Sequence, residues 1–198
     1  MPRIFILFTS LILLYASSAS GDEINYQFTS ISVEEGLSQS TGPSILLDKK
    51  GKLWIGTRNG LNFYTGQDLK IFKSNSKDRY SLPDNEILHL TQDSLNNIWI
   101  STRKGLVIYD EKHGNFIPVN QDIMYSSLCI SDGILFGSEN RIYKYDYKQC
   151  SFKSISIKNQ EDTGNDITKY RVQKIIAFSE REALVATRSD GAYVLDYQ

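Results

Sequence analysis

The sequence predicts an all-β fold built from short antiparallel strands, and three observations indicate this. Aromatic residues are plentiful, with 12 Tyr and 9 Phe among 198 residues, and such side chains favour strands. Short apolar runs alternate with turns that contain Gly, Asn and Asp. One of these apolar runs, together with the turn after it, recurs four times along the chain.

Charge and composition exclude several classes of protein. Lys and Arg total 22 against 23 Asp and Glu, so the net charge is -1, whereas nucleic-acid binders usually show a basic excess. Hydrophobic residues make up 40% of the chain, which is typical of a globular protein. Neither His89 nor His113 lies at metal-ligand spacing from other ligands, so no metal site and no cofactor are expected.

The first element is predicted to be a signal peptide over residues 1–21. Arg3 precedes an apolar stretch at residues 4–15, and small residues follow at 16–21. The apolar stretch is shorter than the roughly 20 residues that a membrane-spanning helix needs. We therefore expect export to the periplasm, with no membrane segment after cleavage; an uncleaved signal anchor is the less favoured alternative.

Three aligned columns define the repeat. A column of large apolar residues contains Trp54, Trp99, Leu135 and Leu184. Two positions later, a column of small residues contains Gly56, Ser101, Gly137 and Ala186. A column of hydroxyl residues follows with Thr57, Thr102, Ser138 and Thr187. Agreement of three columns across four copies indicates a structural unit that repeats about every 36 to 49 residues.

Each copy reads as a four-stranded antiparallel sheet whose second strand is continuously apolar and therefore buried on both faces. Sheets that stack radially, face to face, meet this demand, so the sequence predicts the blades of a β-propeller. Within residues 22–198, the four blades are predicted at about 43–73, 86–119, 125–157 and 170–197. The fourth lacks a last strand, and residues 24–31 form either an orphan strand or one that closes the ring.

About four blades lie at the low end of the propeller range. A closed four-bladed ring is one alternative, but an incomplete propeller or open arc is expected because blades shaped for a larger ring would not close at four. An open arc exposes apolar blade faces, which predicts self-association.

The turns and the cysteines carry further expectations. Asp48 and Asp93 begin matching turns, in which Gly51 and Asn96 supply a left-handed backbone position. We interpret these carboxylates as turn clamps rather than metal ligands. Cys129 and Cys150 are placed on the first and fourth strands of one sheet, too far apart to form a disulfide.

Residues 34–40 (EEGLSQS) and 45–61 (ILLDKKGKLWIGTRNGL) resemble the two-component-regulator propeller repeat, and residues 81–87 (SLPDNEI) are similar to its inter-blade segment. Such repeats build the periplasmic sensor regions of hybrid two-component histidine kinases of Bacteroides-type bacteria. The resemblance implies detection of polysaccharide breakdown products, hence an oligosaccharide ligand. No kinase motif is present in these 198 residues, so we expect a truncated member that lacks the kinase part.

Candidate ligand-binding residues lie in the turns after the second strands. They are Arg58, Asn59, Arg103, Lys104 and Arg188. These turns and the links between blades are expected to share one rim, where Arg can hold a carboxylate or sulfate through two hydrogen bonds. The alternative is that they are solvated turn residues. Trp54 and Trp99 lie in continuously apolar strands, which favours core packing over stacking on sugars.

The sequence thus predicts a non-catalytic extracytoplasmic ligand-sensing propeller domain of a two-component signalling protein. Neither a Gly-x-Ser-x-Gly nor a His-Glu-x-x-His motif occurs, so no catalytic residues are assigned. Two alternatives stay open: a small periplasmic propeller enzyme that acts on polysaccharide, and a truncated gene product without function.

Overall fold

The computed structural model describes residues 27–139, 141–155, 171–189 and 191–197. The chain divides into two compact units, Met1–Ser30 and Ile31–Gln198. The predicted signal peptide lies outside the described residues, and residues 27–31, the described part of the predicted strand 24–31, are not in a strand. Over the described ranges there is no helix long and apolar enough to cross a membrane.

Fifteen strands form four antiparallel sheets within the described part of the second unit, and no helix occurs there. Blade 1 contains β1 (Ser44–Leu47), β2 (Leu53–Thr57), β3 (Gly60–Tyr64) and β4 (Leu69–Phe72). Blade 2 contains β5 (Ile87–Gln92), β6 (Ile98–Thr102), β7 (Gly105–Asp110) and β8 (Asn115–Asn120). Blade 3 contains β9 (Met124–Ile130), β10 (Gly133–Ser138), β11 (Ile142–Asp146) and β12 (Ser151–Ile155). Blade 4 contains β13 (Val172–Ala177), β14 (Glu182–Thr187) and β15 (Ala192–Asp196).

In every blade the strands pair in chain order, each with the next. Consecutive blades pack against each other, because β1 and β2 contact β5, β5 and β6 contact β9, and β9 and β10 contact β13. The predicted fold class, an all-β protein of four-stranded antiparallel propeller blades, is confirmed.

The second strands form the centre of the protein, as their continuous apolarity predicts. Every residue of β6 and of β10 is buried. Trp54 packs with blade 2 residues such as Ile87 and Ile100, while Trp99 packs with Phe136 of blade 3. The large apolar column therefore fills the gap between each blade and the next one along the chain.

The small-residue column marks where neighbouring blades approach most closely. A Cβ atom added to Gly56 would lie 2.5 Å from Cγ2 of Ile87, and one added to Gly137 would lie 2.3 Å from Cγ1 of Val172. In blade 2 the Ser101 hydroxyl instead donates to the carbonyl oxygen of Met124, at 2.5 Å. Each small residue thus makes room for the first strand of the following blade.

The hydroxyl column closes the turn between the second and third strands. Each Oγ donates to a backbone carbonyl oxygen across the turn. The pairs are Thr57 with Gly60 (2.9 Å), Thr102 with Gly105 (2.9 Å), Ser138 with Arg141 (3.1 Å) and Thr187 with Gly191 (3.0 Å). The column is therefore structural, since it fixes the same turn in all four blades.

Asp48 and Asp93 clamp their turns, which confirms the interpretation from the sequence. The Asp48 carboxylate accepts hydrogen bonds from the backbone N–H groups of Lys50 and Lys52, both at 2.9 Å. Gly51 and Asn96 have φ angles of 75° and 70°, in the left-handed region that such a turn requires.

Each of these carboxylates also holds the indole of its blade, which the sequence did not predict. The Nε1 atoms of Trp54 and Trp99 donate to Asp48 and Asp93 at 3.0 and 2.8 Å. Burial alone would raise the pKa of Asp48, but the hydrogen bonds from the Trp54 indole and the turn backbone outweigh it, and the pKa lies below its ordinary value. The buried indole N–H is thereby satisfied.

First strands are joined across blades by side-chain hydrogen bonds at equivalent positions. The Ser44 hydroxyl accepts from the backbone N–H of Leu90 at 2.9 Å, and the Ser126 hydroxyl accepts from Ile175 at 3.0 Å. Between blades 2 and 3 the bond joins His89 Nε2 to the Ser127 hydroxyl at 3.0 Å. One polar contact therefore recurs at each of the three blade interfaces.

Several large apolar side chains of blades 1 and 4 are exposed, among them Ile45, Ile71, Ile176 and Val194. Both cysteines are free, as expected. Both are exposed, however, whereas buried or half-buried thiols were expected, and Cys150 lies in the turn before β12 rather than within the strand.

We expect Gly56→Ala to lower the free energy of unfolding by about 1–3 kcal/mol, because the added methyl group would overlap Ile87 and push blades 1 and 2 apart. Gly42→Ala is the matched control, since its methyl group would only make ordinary contacts, at 3.6 Å from Ile55. Urea unfolding measures both variants. Equal stability of the two would contradict this account of the small-residue column.

Stability should fall as the pH is lowered from about 6.5 to 4. Desolvation, with a contribution from the positive charge of Lys174, lowers the pKa of His89 from 6.5 to about 4. Between these pH values the unfolded chain therefore binds a proton that the folded protein does not bind. As the pH is lowered, the free energy of unfolding falls by up to about 1.4 kcal/mol per pH unit. His89→Gln should flatten this slope in urea titrations, whereas His113→Gln, at an exposed turn, should leave it in place.

Candidate functional site

The turns between second and third strands meet the links between blades along one rim, as the sequence predicted. The backbone N–H of Gly60 donates to the carbonyl oxygen of Asn85 at 2.8 Å, so the blade 1 turn contacts the link to blade 2. The blade 2 turn contacts the same link, through Arg103 N–H and the Glu86 carbonyl oxygen at 3.2 Å. The rim therefore offers both kinds of segment to a ligand.

In blade 1 the predicted residues Arg58 and Asn59 are exposed and rest on the segment that precedes β1. The Arg58 backbone N–H donates to the Gln39 side chain at 3.3 Å, and Asn59 Nδ2 donates to the Ser38 carbonyl oxygen at 3.4 Å. The Asn59 carbonyl oxygen also accepts from the Lys73 ammonium group. Asn59 is thus tied into the rim, while the Arg58 guanidinium faces solvent.

In blade 2 the predicted residues Arg103 and Lys104 form ion pairs with the preceding link. Arg103 Nε donates to Glu86 at 3.1 Å, and Lys104 Nζ lies 3.4 Å from the Asp84 carboxylate. The hydrogen bond that Arg103 donates to Glu86 raises the pKa of Arg103 further above its already high value. These two cations therefore hold the link in place as well as facing the rim.

In blade 4 the predicted residue Arg188 is exposed, and its backbone N–H donates to the carbonyl oxygen of Arg171 at 2.9 Å. The Arg171 guanidinium carbon lies 3.7 Å from the ring centre of Tyr125, in blade 3. The five predicted residues are thus spread over three blades along the rim.

Two clefts of about 600 Å³ lie on this rim, and one of them is lined by the predicted residue Lys104 together with Pro83 and Asn120. The other cleft contains none of the five predicted residues. It lies between the link from blade 2 to blade 3 and the β10–β11 turn. Its lining residues are Gln121, Asp122, Ile123, Ser138, Glu139, Arg141 and Tyr143. The sequence offered one signal for it, because Glu139 interrupts the Arg found at the corresponding position in the other three blades.

Two phenol–carboxylate pairs organise this cleft. The Tyr143 hydroxyl donates to Asp122, and the Tyr125 hydroxyl donates to Glu139 at 2.5 Å. Burial, and then the bonded carboxylates, raise the pKa of both tyrosines above the ordinary value. Both phenols therefore stay protonated at neutral pH and keep the two carboxylates in fixed positions.

The cleft offers carboxylate acceptors and a guanidinium donor at Arg141, while the ring of Tyr143 is buried and packs against Phe152. Such a mixture suits a hydroxyl-rich ligand, because each sugar hydroxyl both donates and accepts a hydrogen bond. Over the described ranges there is no group of three or more His, Cys, Asp or Glu side chains that could hold a metal ion.

Comparison with known proteins agrees with the repeat pattern. A family model described as two component regulator propeller matches residues 36–59 and 81–104. The chain is also 42% identical, over 67 residues, to Histidine kinase P4 of Formosa agariphila. That match covers 34% of this chain and 5% of the relative, so the chain spans a small part of the relative's length.

Several solved structures share the fold. The extracellular domain of a putative hybrid two component system from B. thetaiotaomicron has a TM-score of 0.66 and 20% identity, covering 80% of this chain and 21% of that one. PorZ, from the type-IX secretion system of Porphyromonas gingivalis, has a TM-score of 0.60 and 16% identity, covering 89% and 28%. The computationally designed Ika4 protein has a TM-score of 0.59 and 10% identity, covering 88% and 100%.

At these identities the solved structures support the blade architecture alone, while the family model and the Formosa relative match the sequence itself. The repeat of large, small and hydroxyl residues coincides with both segments of the family match. The chain therefore carries repeats of the two component regulator propeller family, at residues 36–59 and 81–104.

Proposed function

We propose that this chain is a non-catalytic, extracytoplasmic ligand-sensing propeller of a two-component signalling protein. The family of its repeats supports this proposal, as does the match to a protein named as a histidine kinase. The predicted signal peptide at residues 1–21 supports export to the periplasm. In this proposal the kinase part is not carried by these 198 residues.

The ligand is a glycan-derived oligosaccharide that binds in the rim cleft of blade 3. The observation that carries this assignment is the pairing of Asp122 with Tyr143 and of Glu139 with Tyr125 beside the Arg141 guanidinium. Fixed carboxylates accept hydrogen bonds from sugar hydroxyls, and a guanidinium donates to them. Preorganised groups of this kind reduce the entropy lost on binding.

The phenol hydrogen bonds suit these carboxylates to binding a ligand. Each carboxylate accepts one hydrogen bond from a tyrosine hydroxyl, which fixes its position, and keeps further lone pairs available. The pairs in the cleft are therefore suited to accepting hydrogen bonds from the hydroxyl groups of a sugar.

The predicted rim cations extend this site for acidic ligands. Arg58 and Arg188 are exposed on the rim of blades 1 and 4, and Arg103 and Lys104 lie between them in the chain on blade 2. Guanidinium groups bind carboxylates and sulfates through paired hydrogen bonds. An oligosaccharide with uronate or sulfate groups would gain contacts along this rim that a neutral one would lack.

An array of acidic and neutral oligosaccharides, followed by calorimetry on the strongest binder, tests the proposal. We expect Arg141→Ala to weaken binding at least about tenfold, since a hydrogen bond to a charged group is worth about 1.5–3 kcal/mol and 1.4 kcal/mol is tenfold. Tyr143→Phe should also weaken binding, because Asp122 loses the phenol that positions it.

Lys153→Ala is the matched control, since it removes an exposed cation from the outer strand of the same blade. The control should bind like the parent chain. The absence of binding to any oligosaccharide on the array would count against a glycan site in this cleft. An equal loss of binding affinity for Arg141→Ala and Lys153→Ala would do the same.

A further inference from the structure

A further cavity lies between blades 1 and 2, on the face of the protein opposite the rim. The β1–β2, β5–β6 and β7–β8 turns form this face, because in an antiparallel sheet they lie at the other end of the strands from the rim turns. The cavity has a volume of about 110 Å³. An apolar cavity of about 150 Å³ can hold benzene, so this space suits a single small ring whose polar end reaches the mouth.

Aromatic side chains form the inner wall of this cavity. Trp54 is the most deeply buried of them, at 2% exposed, while Phe63 and Tyr109 are half-buried beside it. The ring centres of Phe63 and Tyr109 lie 4.4 and 5.0 Å from that of Trp54. A flat apolar ring would therefore meet other rings, and aromatic groups pack favourably edge to face or offset.

Charged side chains form the mouth of the cavity. Glu111 pairs with both Lys50 and Lys52, and all three side chains are partly exposed. Lys50 donates a hydrogen bond to Glu111, whereas Lys52 Nζ lies 3.8 Å from this carboxylate, beyond hydrogen-bond distance. Lys52 Nζ also lies 5.3 Å from the centre of the Phe63 ring. Lys52 therefore keeps donors for a second acceptor beside the aromatic wall.

Hydrogen-bond capacity favours a ligand whose polar end is an acceptor. The Asp48 carboxylate accepts from the Trp54 indole at 3.0 Å and from two turn N–H groups at 2.9 Å, so its charge holds the wall. The Glu111 carboxylate accepts from Lys50. The ammonium group of Lys52 is the donor with capacity left, and a carboxylate makes the stronger, charge-assisted hydrogen bond to it.

The charged mouth is particular to blades 1 and 2 and is not a property of the repeat. At the interface of blades 2 and 3, the three corresponding positions hold Leu95 for Lys50, Asn97 for Lys52 and Tyr147 for Glu111. The Tyr147 ring packs against Tyr145, with 6.0 Å between the ring centres. The blade packing therefore does not itself require the two lysines and the glutamate.

We propose that this cavity binds a small organic carboxylate whose body is a flat apolar ring. The ring packs against Phe63, Tyr109 and the buried Trp54, and the carboxylate accepts hydrogen bonds from Lys52 at the mouth. This site lies at the opposite end of the strands from the glycan cleft and shares no lining residue with it. The two sites can therefore be tested independently.

Titration of the full chain with benzoate, followed by proton–nitrogen NMR of the indole N–H groups, tests the proposal. The protein has two tryptophans, so one indole reports on the cavity and the other serves as an internal control. We expect the Trp54 signal to shift with benzoate and the Trp99 signal, at the next interface, to stay in place. Benzamide, which has the same ring without the charge, should bind about fivefold more weakly. An unmoved Trp54 signal at tens of millimolar benzoate, or equal affinity for benzamide, would overturn the proposal.

Substitutions at the mouth assign the charge contact. Lys52→Ala should raise the Kd for benzoate about fivefold, as expected for the loss of a partly exposed ion pair. Glu111→Gln should lower the Kd, because Lys50 and Lys52 then have no internal carboxylate, and a folding defect would not produce such a gain. Lys112→Ala is the matched control, since it removes an exposed cation of the same turn. Equal Kd values for Lys52→Ala and Lys112→Ala, or a Glu111→Gln chain that binds no more tightly than the parent, would contradict the proposal.

Discussion

The close approach of neighbouring blades at the small-residue column is the constraint on which the rest of the structure depends. Gly56 and Gly137 have no room for a Cβ atom, because the first strand of the next blade fills that space. The large column beside them can then bury Trp54, Trp99 and Leu135 completely in the gaps. Such dense packing requires that the strands and turns be held in fixed positions. The hydroxyl residues hold the turns between second and third strands, and the Asp carboxylates hold the turns before the second strands.

The sequence was sufficient for the blades because their determinants are local. Alternation of apolar runs and turns is contained within each repeat, and the agreement of four copies removed the ambiguity that any single copy would leave. The indole bonds of Asp48 and Asp93 were missed because they join a turn to a side chain six residues away on the inner face. Nothing in the turn chemistry alone indicates that second partner.

The candidate site was predictable only in its location. The turns that carry Arg103 and Lys104 do lie on the rim, but their partners Glu86 and Asp84 come from a link whose path the sequence does not specify. The cleft at blade 3 depends on residues from three segments, including Asp122 in a link and Tyr143 in a third strand. Sequence spacing does not show that these side chains lie together, because the link, the turn and the strand that carry them are separate segments of the chain.

The carboxylate–indole contacts make blade 4 spectroscopically different from the other three blades. Both tryptophans of the protein belong to blades 1 and 2, and each is buried and bonded to Asp. Trp99 packs against Phe136 of blade 3, whereas blade 4 has Leu184 at the tryptophan position, so opening of blade 4 would not alter an indole directly. Tryptophan emission therefore reports on blades 1 to 3, while circular dichroism follows all four sheets. Unfolding of blade 4 apart from the others would appear as a separation of the two unfolding curves.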